Sequence, residues 1–143
     1  IGSEDPECDD RIYVDPDNWD SNFTEQWKIQ VLRQAQRYPN LPISSEVRGV
    51  VSLYDVSDDW IPIYDKSDLP GFYMAIGSSG NQYKNAPVAG IIMSELIEAC
   101  ESGHNHDQNP LKVHLKHINR EINLGFYSRN RKINSESSMS VLG

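Results

Sequence analysis

Residues 77–90 read GSSGNQYKNAPVAG, a loop of small residues that carries one lysine, Lys84, and runs into the opening of a helix. It follows the apolar run GFYMAIG at 71–77. Strand, glycine loop and helix in that order present backbone N–H groups and the positive end of a helix dipole to an anionic or electron-rich ligand. Ala86, Ala89 and Gly90 at the helix start are small enough to let a planar or bulky ligand reach the backbone. Two nucleotide loops fail on spacing: a Walker loop needs Gly-Lys-Ser/Thr in succession, whereas Lys84 stands between Tyr83 and Asn85, and no G-x-G-x-x-G occurs. On these residues alone the segment reads first as a structural strand-to-helix turn and second as a ligand site. Lys84 is then either an exposed turn lysine or a partner for a carboxylate.

Other residues with chemical potential are less organised. His104, His106, His114 and His117 form an H-x-H and an H-x2-H, spacings that suit a metal, but HNHDQNP sits just past a helix end among Asn, Asp and Pro and reads as a solvated loop. Arg129, Arg131 and Lys132 in YSRNRKIN read as a surface strip, with phosphates or the chain's own acids as the alternative partners. Cys8 and Cys100 lie far apart, with no His or second Cys at metal spacing, and are expected as two free thiols. No Ser/His/Asp or Cys/His set stands out.

The elements that must position these groups follow from periodicity. Phe23, Trp27, Val31, Ala35 and Tyr38 recur at helical spacing after Asn22, with Glu25 three residues on and Pro39 closing the run, which predicts a helix over about 23–38. VRGVVSLYDV at 47–56 predicts a strand in which Gly49 marks a bulge or a close approach, and WIPIY at 60–64 predicts another. GFYMAIG is apolar on both faces, the pattern of a strand in a parallel sheet covered on both sides. PVAGIIMSELIEACES places Val88, Ala89, Ile92, Met93, Leu96, Ile97 and Cys100 on one broad face, with Gly103 as the stop. Residues 1–22 read as an irregular acidic lead-in, and 111–118 as either strand or helix.

With 143 residues and 38% of them hydrophobic, the chain supports one globular core rather than two ordinary domains. Its formal charge of −8 is uneven, because 18 of the 21 acids precede residue 104 while the remainder of the chain is net basic. An acidic front argues against a nucleic-acid face, which needs clustered Lys and Arg. There is no basic-then-apolar leader and no apolar run of about eighteen residues, so a cytoplasmic protein without a membrane span is expected.

Taken together, GFYMAIGSSGNQYKNAPVAG resembles the carboxyl-terminal flavin segment of the FAD-dependent amine oxidoreductases of the D-amino-acid oxidase and sarcosine oxidase family. Gly71, Tyr73, Ala75, Gly77, Ser79, Gly80, Lys84, Ala86, Pro87 and Gly90 match its pattern. The upstream GVVSLYDVSDDWIPI is similar to a second block of that family through Tyr54, Asp55, Asp59, Pro62 and Ile63. The resemblance covers 47–102 well and 1–46 loosely. It implies an α/β class, the carboxyl-terminal part of a Rossmann-like FAD domain together with the end of an antiparallel-sheet substrate domain. Residues 1–64 would end the substrate domain, 65–103 would complete the FAD domain, and 104–143 would be an extension. The same resemblance implies that Gly77, Ser78, Ser79, Gly80, Asn81 and Gln82 contact the flavin of FAD. It also implies that Lys84 and Tyr54 contact an amine or amino-acid substrate, and that an amino-terminal part of the same enzyme supplies the dinucleotide fingerprint. Asn81, Gln82 and Ser78 depart from the family's His-Gly and Phe, which leaves the substrate open, and Ser52 stands where some sarcosine oxidases attach FAD through cysteine. The alternative is a noncatalytic or degenerate module that contributes packing only.

Overall fold

The computed structural model describes residues 13–42, 44, 46 and 48–137. Cys8, most of the acidic lead-in and the first residue of the expected 47–56 strand lie outside the described residues. The chain divides between Leu53 and Tyr54 into two compact units. Among the described residues it is a small mixed α/β protein with two helices and two small antiparallel sheets.

In the first unit, helix α1 spans Glu25–Ala35. Its cap is Thr24 rather than Asn22: the Thr24 hydroxyl accepts the Trp27 N–H at 3.1 Å, while the Asn22 amide turns back to Asp20 at 2.7 Å. The helix stops short of Tyr38 because Arg37 and Tyr38 donate three residues back, to Gln34 and Ala35, in a tighter turn leading into Pro39. The position before a proline disfavours helical backbone, which ends the run. Phe23 and Trp27 stack with ring centroids 4.5 Å apart. Gly49 lies against that pair, and a Cβ there would fall 3.0 Å from Trp27 Cη2, which is a close approach rather than a bulge. The expected strand at 47–56 does not form over 48–56, and Val50 is 88% exposed. A β-branched run becomes a strand only when a neighbouring strand takes its N–H and C=O groups in a ladder, and no strand among the described residues pairs with it.

In the second unit, β1 (Ile63–Lys66) pairs antiparallel with β2 (Tyr73–Ile76), in a register from Ile63 opposite Ile76 to Lys66 opposite Tyr73. This corrects the expectation of a parallel sheet. Only six residues separate the strands, and the Ser67 N–H donates to Phe72 O at 2.8 Å to close the turn. A parallel crossover needs about a dozen or more residues. Ala75 and Ile76 are exposed, so the all-apolar run does not signal cover on both sides.

Helix α2 runs from Ala86 to Glu101, with Pro87 in its first turn, and Gly103, at φ +92°, ends it as the spacing predicts. The ambiguous 111–118 stretch resolves as strand β3 (Lys112–Leu115), which pairs with β4 (Arg120–Asn123) and leads into a 3₁₀ turn at Leu124–Tyr127. The core gathers Tyr64 from β1, Ile92 and Leu96 from α2, Val113 and Leu115 from β3, and Leu124 from the turn. Val88, Ala89, Met93 and Cys100 border it, so the predicted apolar face of α2 is the packed one.

Leu96 is fully buried whereas Ile97 is 38% exposed. Leu96→Ala is expected to lower unfolding free energy by about 2–5 kcal/mol and Ile97→Ala by clearly less, as measured by urea denaturation.

Candidate functional site

The glycine loop between β2 and α2 takes its shape from left-handed backbone at three positions: Gly77 at φ +69°, Ser79 at φ +50° and Gly80 at φ +75°. Gly77 has a second reason to be glycine, since a Cβ there would sit 3.1 Å from Ser57 Cβ. The loop closes on one side chain of the chain itself. The Asp55 carboxylate accepts the Gly77 N–H, the Ser78 N–H at 3.1 Å and the Ser78 hydroxyl at 2.7 Å, and the Asp55 carbonyl accepts the Ser79 N–H at 2.8 Å. Partial burial works to raise the Asp55 carboxyl, but the bonds from Ser78 and Gly77 outweigh it and hold it below its ordinary value. A turn with left-handed residues is therefore present between β2 and α2, and its first three amides are engaged by Asp55.

Beyond Gly80 the loop continues through a chain of amides. Gln82 donates to Asn81 Oδ1 at 2.5 Å, and its own Oε1 accepts Asn85 Nδ2 at 2.8 Å and the Tyr64 hydroxyl at 3.4 Å. A 3₁₀ turn at Tyr83–Asn85 carries Lys84, which is exposed, directly into α2. Asn85 makes no side-chain cap bond to α2 and the first turn of that helix holds no acid. Ala86 and Gly90 are exposed, and nothing lies within 4 Å of a Cβ built at Gly90. Tyr54 is 45% exposed. The structure thus strings Gly77 to Gln82 and Lys84 along one continuous loop.

A second constellation was not expected. Asp59 and Asp65 are both buried, and each is met by an arginine from the carboxyl-terminal segment. Arg131 donates through Nε to Asp59 Oδ2 at 3.0 Å and through Nη2 to Oδ1 at 2.6 Å, a two-pronged pair that holds the Asp59 carboxyl at about 2. The Ile61 and Asn134 N–H groups complete the set around Asp59. Asp65 Oδ2 accepts the Ser128 hydroxyl at 3.1 Å, the Arg129 N–H at 2.8 Å and Arg129 Nη1 at 3.2 Å. Arg129 also reaches Asp107 at 2.8 Å and Asp68 at 2.6 Å, and Lys66 pairs with Asp107 at 2.6 Å. Bonds from Arg129 first and Lys66 second keep the Asp107 carboxyl at about 2.

Two readings are corrected here. Arg129 and Arg131 are not a surface strip: their side chains are only 16% and 11% exposed and they clamp the chain's own acids. HNHDQNP is not a uniformly solvated loop, because His106 is 1% exposed, while His104 bonds the Asn109 carbonyl at 2.8 Å. A signal existed in the sequence. Asp65 directly follows the apolar run WIPIY, a buried acid must find donors, and the basic excess lies in the tail. Among the described residues no group of three or more His, Cys, Asp or Glu side chains is arranged to hold a metal ion. No helix among them is long and apolar enough to cross a membrane. Comparison with protein-family models, curated proteins and solved structures finds no match for this chain.

Because the Asp59 carboxyl lies at about 2 in the fold against 3.8 for a free side chain, its contribution is complete above pH 3.8 and lost as pH falls toward 2. Arg131→Leu is expected to remove that part of the acid dependence. At pH 7 it is expected to destabilise the fold by about 3–5 kcal/mol by leaving a buried carboxylate unanswered. Urea denaturation at a series of pH values measures both.

Proposed function

We propose that the chain is the carboxyl-terminal portion of an FAD-dependent oxidoreductase that oxidises the C–N bond of an amino acid or N-methylated amine. The observation that carries this reading is the succession of β2, a left-handed Gly77–Gly80 loop and α2 starting at Ala86 with small exposed residues, on the residues that resemble the family's flavin segment. The finer fold reading, completion of a Rossmann-like FAD domain by an amino-terminal part of the same enzyme, belongs to the same proposal, as does a cytoplasmic location.

The residues present are compatible with a flavin edge. The uncapped start of α2 keeps its partial positive charge, and Ala86 and Gly90 leave room beside it. When bound, the flavin supplies acceptance of the substrate's hydride, leaving an imine that water hydrolyses. The chain's own residues do the rest. Asp55 fixes the loop by engaging Gly77, Ser78 and Ser79, so those residues shape the turn, and Gly80, Asn81 and Gln82 would be the part of it that holds the flavin. Lys84 is a compact cation suited to a substrate carboxylate, and Tyr54 would border the same substrate.

One observation favours the second reading, a noncatalytic packing module: Asp55 already satisfies three loop donors without any ligand. Purified full-length polypeptide separates the two. The flavoenzyme reading expects bound or reconstitutable FAD, with loss of flavin absorbance under anaerobic addition of at least one N-methyl amino acid or D-amino acid. A protein that takes up no FAD sinks it.

Lys84→Met in that polypeptide is expected to leave flavin content unchanged and to weaken a carboxylate inhibitor by about 0.5–1 kcal/mol, the size of an exposed ion pair. Flavin-absorbance titration measures it, and equal affinity in the two proteins would remove Lys84 from the site.

A further inference from the structure

Among the described residues of the second unit, His106 is the buried ionisable group whose hydrogen bonding is incomplete. Its Nδ1 accepts the Leu111 N–H at 3.1 Å, and since a backbone N–H only donates, the ring proton must sit on Nε2. That Nε2 has no hydrogen-bond partner among the described residues and lies 3.5 Å from Asp65 Oδ1, both side chains being fully buried. The charged and titratable groups around it are Asp65 and Lys66 on β1 and His104 and Asp107 in its own loop. Arg129 joins them through Asp65 and Asp107, and Cys100 at the end of α2 senses the same charges.

We propose that His106 is a proton-operated latch that holds the 104–111 loop and the start of β3 in place at neutral pH and releases them in mild acid. The added proton goes to Nδ1, the nitrogen that accepts from Leu111. An imidazolium donates through both nitrogens, so the Leu111 N–H loses its acceptor and is left facing another donor. Leu111 matters beyond its own bond, because its carbonyl accepts the Leu124 N–H at 2.8 Å and so ties the start of β3 to the 3₁₀ turn. The same loop carries Asp107, which holds Lys66 and Arg129, so its release also loosens the clamp on the carboxyl-terminal segment. His104 provides an internal contrast. Its Nε2 donates to the Asn109 carbonyl, and that bond survives protonation of the ring.

Burial pushes the His106 ring below its ordinary value of 6.5, against the pull of Asp65 and Asp107. The sign follows: a histidine that is harder to protonate in the closed loop than in the open one gives stability that is present above pH 6.5 and lost as pH falls below it. With an open-state value of 6.5, closure of the loop weakens as pH falls below it, by at most about tenfold at pH 5.5.

Amide hydrogen exchange by NMR on the 15N-labelled chain tests this. The Leu111 protection factor is expected to fall between pH 7.5 and 5.5, by up to about tenfold. His106→Asn, which can accept through Oδ1 without titrating, is expected to make Leu111 protection independent of pH over that range. His104→Asn is expected to leave the fall intact, which keeps the test open if the His106 variant does not fold. Constant Leu111 protection in the unaltered chain, the same fall in His106→Asn, or loss of the fall in His104→Asn would each overturn the latch.

Discussion

A carboxylate taken out of water has to be answered by donors, and the second unit is organised around two that are, Asp59 and Asp65. Local donors, the Ile61 N–H for Asp59 and the Lys66 N–H for Asp65, answer each only in part. Asp59 draws on Arg131 and Asn134, and Asp65 on Ser128 and Arg129, more than sixty residues further along. The position of 128–134 is therefore set by geometry at the edge of β1. The apolar core alone would fix that segment less sharply, because burial of Leu124 and its neighbours is nondirectional. Two-pronged arginine bonds specify orientation as well as attraction.

The same stretch of chain also shapes the glycine loop. Asp55 lies a few residues before Asp59 and engages the loop after β2, while β1, which contains Asp65, forms the pairing that brings β2 alongside. One short segment, 55–66, thus connects the loop, the sheet and the carboxyl-terminal clamp. A ligand seated against Gly80 to Gln82 would meet a turn whose geometry is already set by an internal carboxylate. Such preorganisation suits a rigid planar ligand, and it equally allows the turn to persist for packing alone.

What could be read in advance depended on how local the determining physics was. The α2 helix was legible because its apolar spacing, Pro87 and Gly103 all act within a turn or two. The strand-like run at 48–56 misled because β propensity describes a fit to a neighbour, and that neighbour is a property of the fold. The direction of the β1–β2 pair was in fact decided by a quantity in the sequence, the six-residue connection, which is too short for a crossover. The apolar character of GFYMAIG, which pointed to a parallel sheet, was the weaker of the two signals.

The sequence by itself determined the helices and the glycine loop with its lysine, because these rest on local backbone preference and residue spacing. Only the tertiary structure decided which carboxylates are buried and which cations answer them. Arg129 and Arg131 look like any exposed basic pair until the chain folds back, since a charge acquires a partner through proximity across dozens of residues. His106 is the same case in miniature. Its position in a polar loop says water, whereas its packing against Asp65 removes water and leaves the ring with one fixed hydrogen bond.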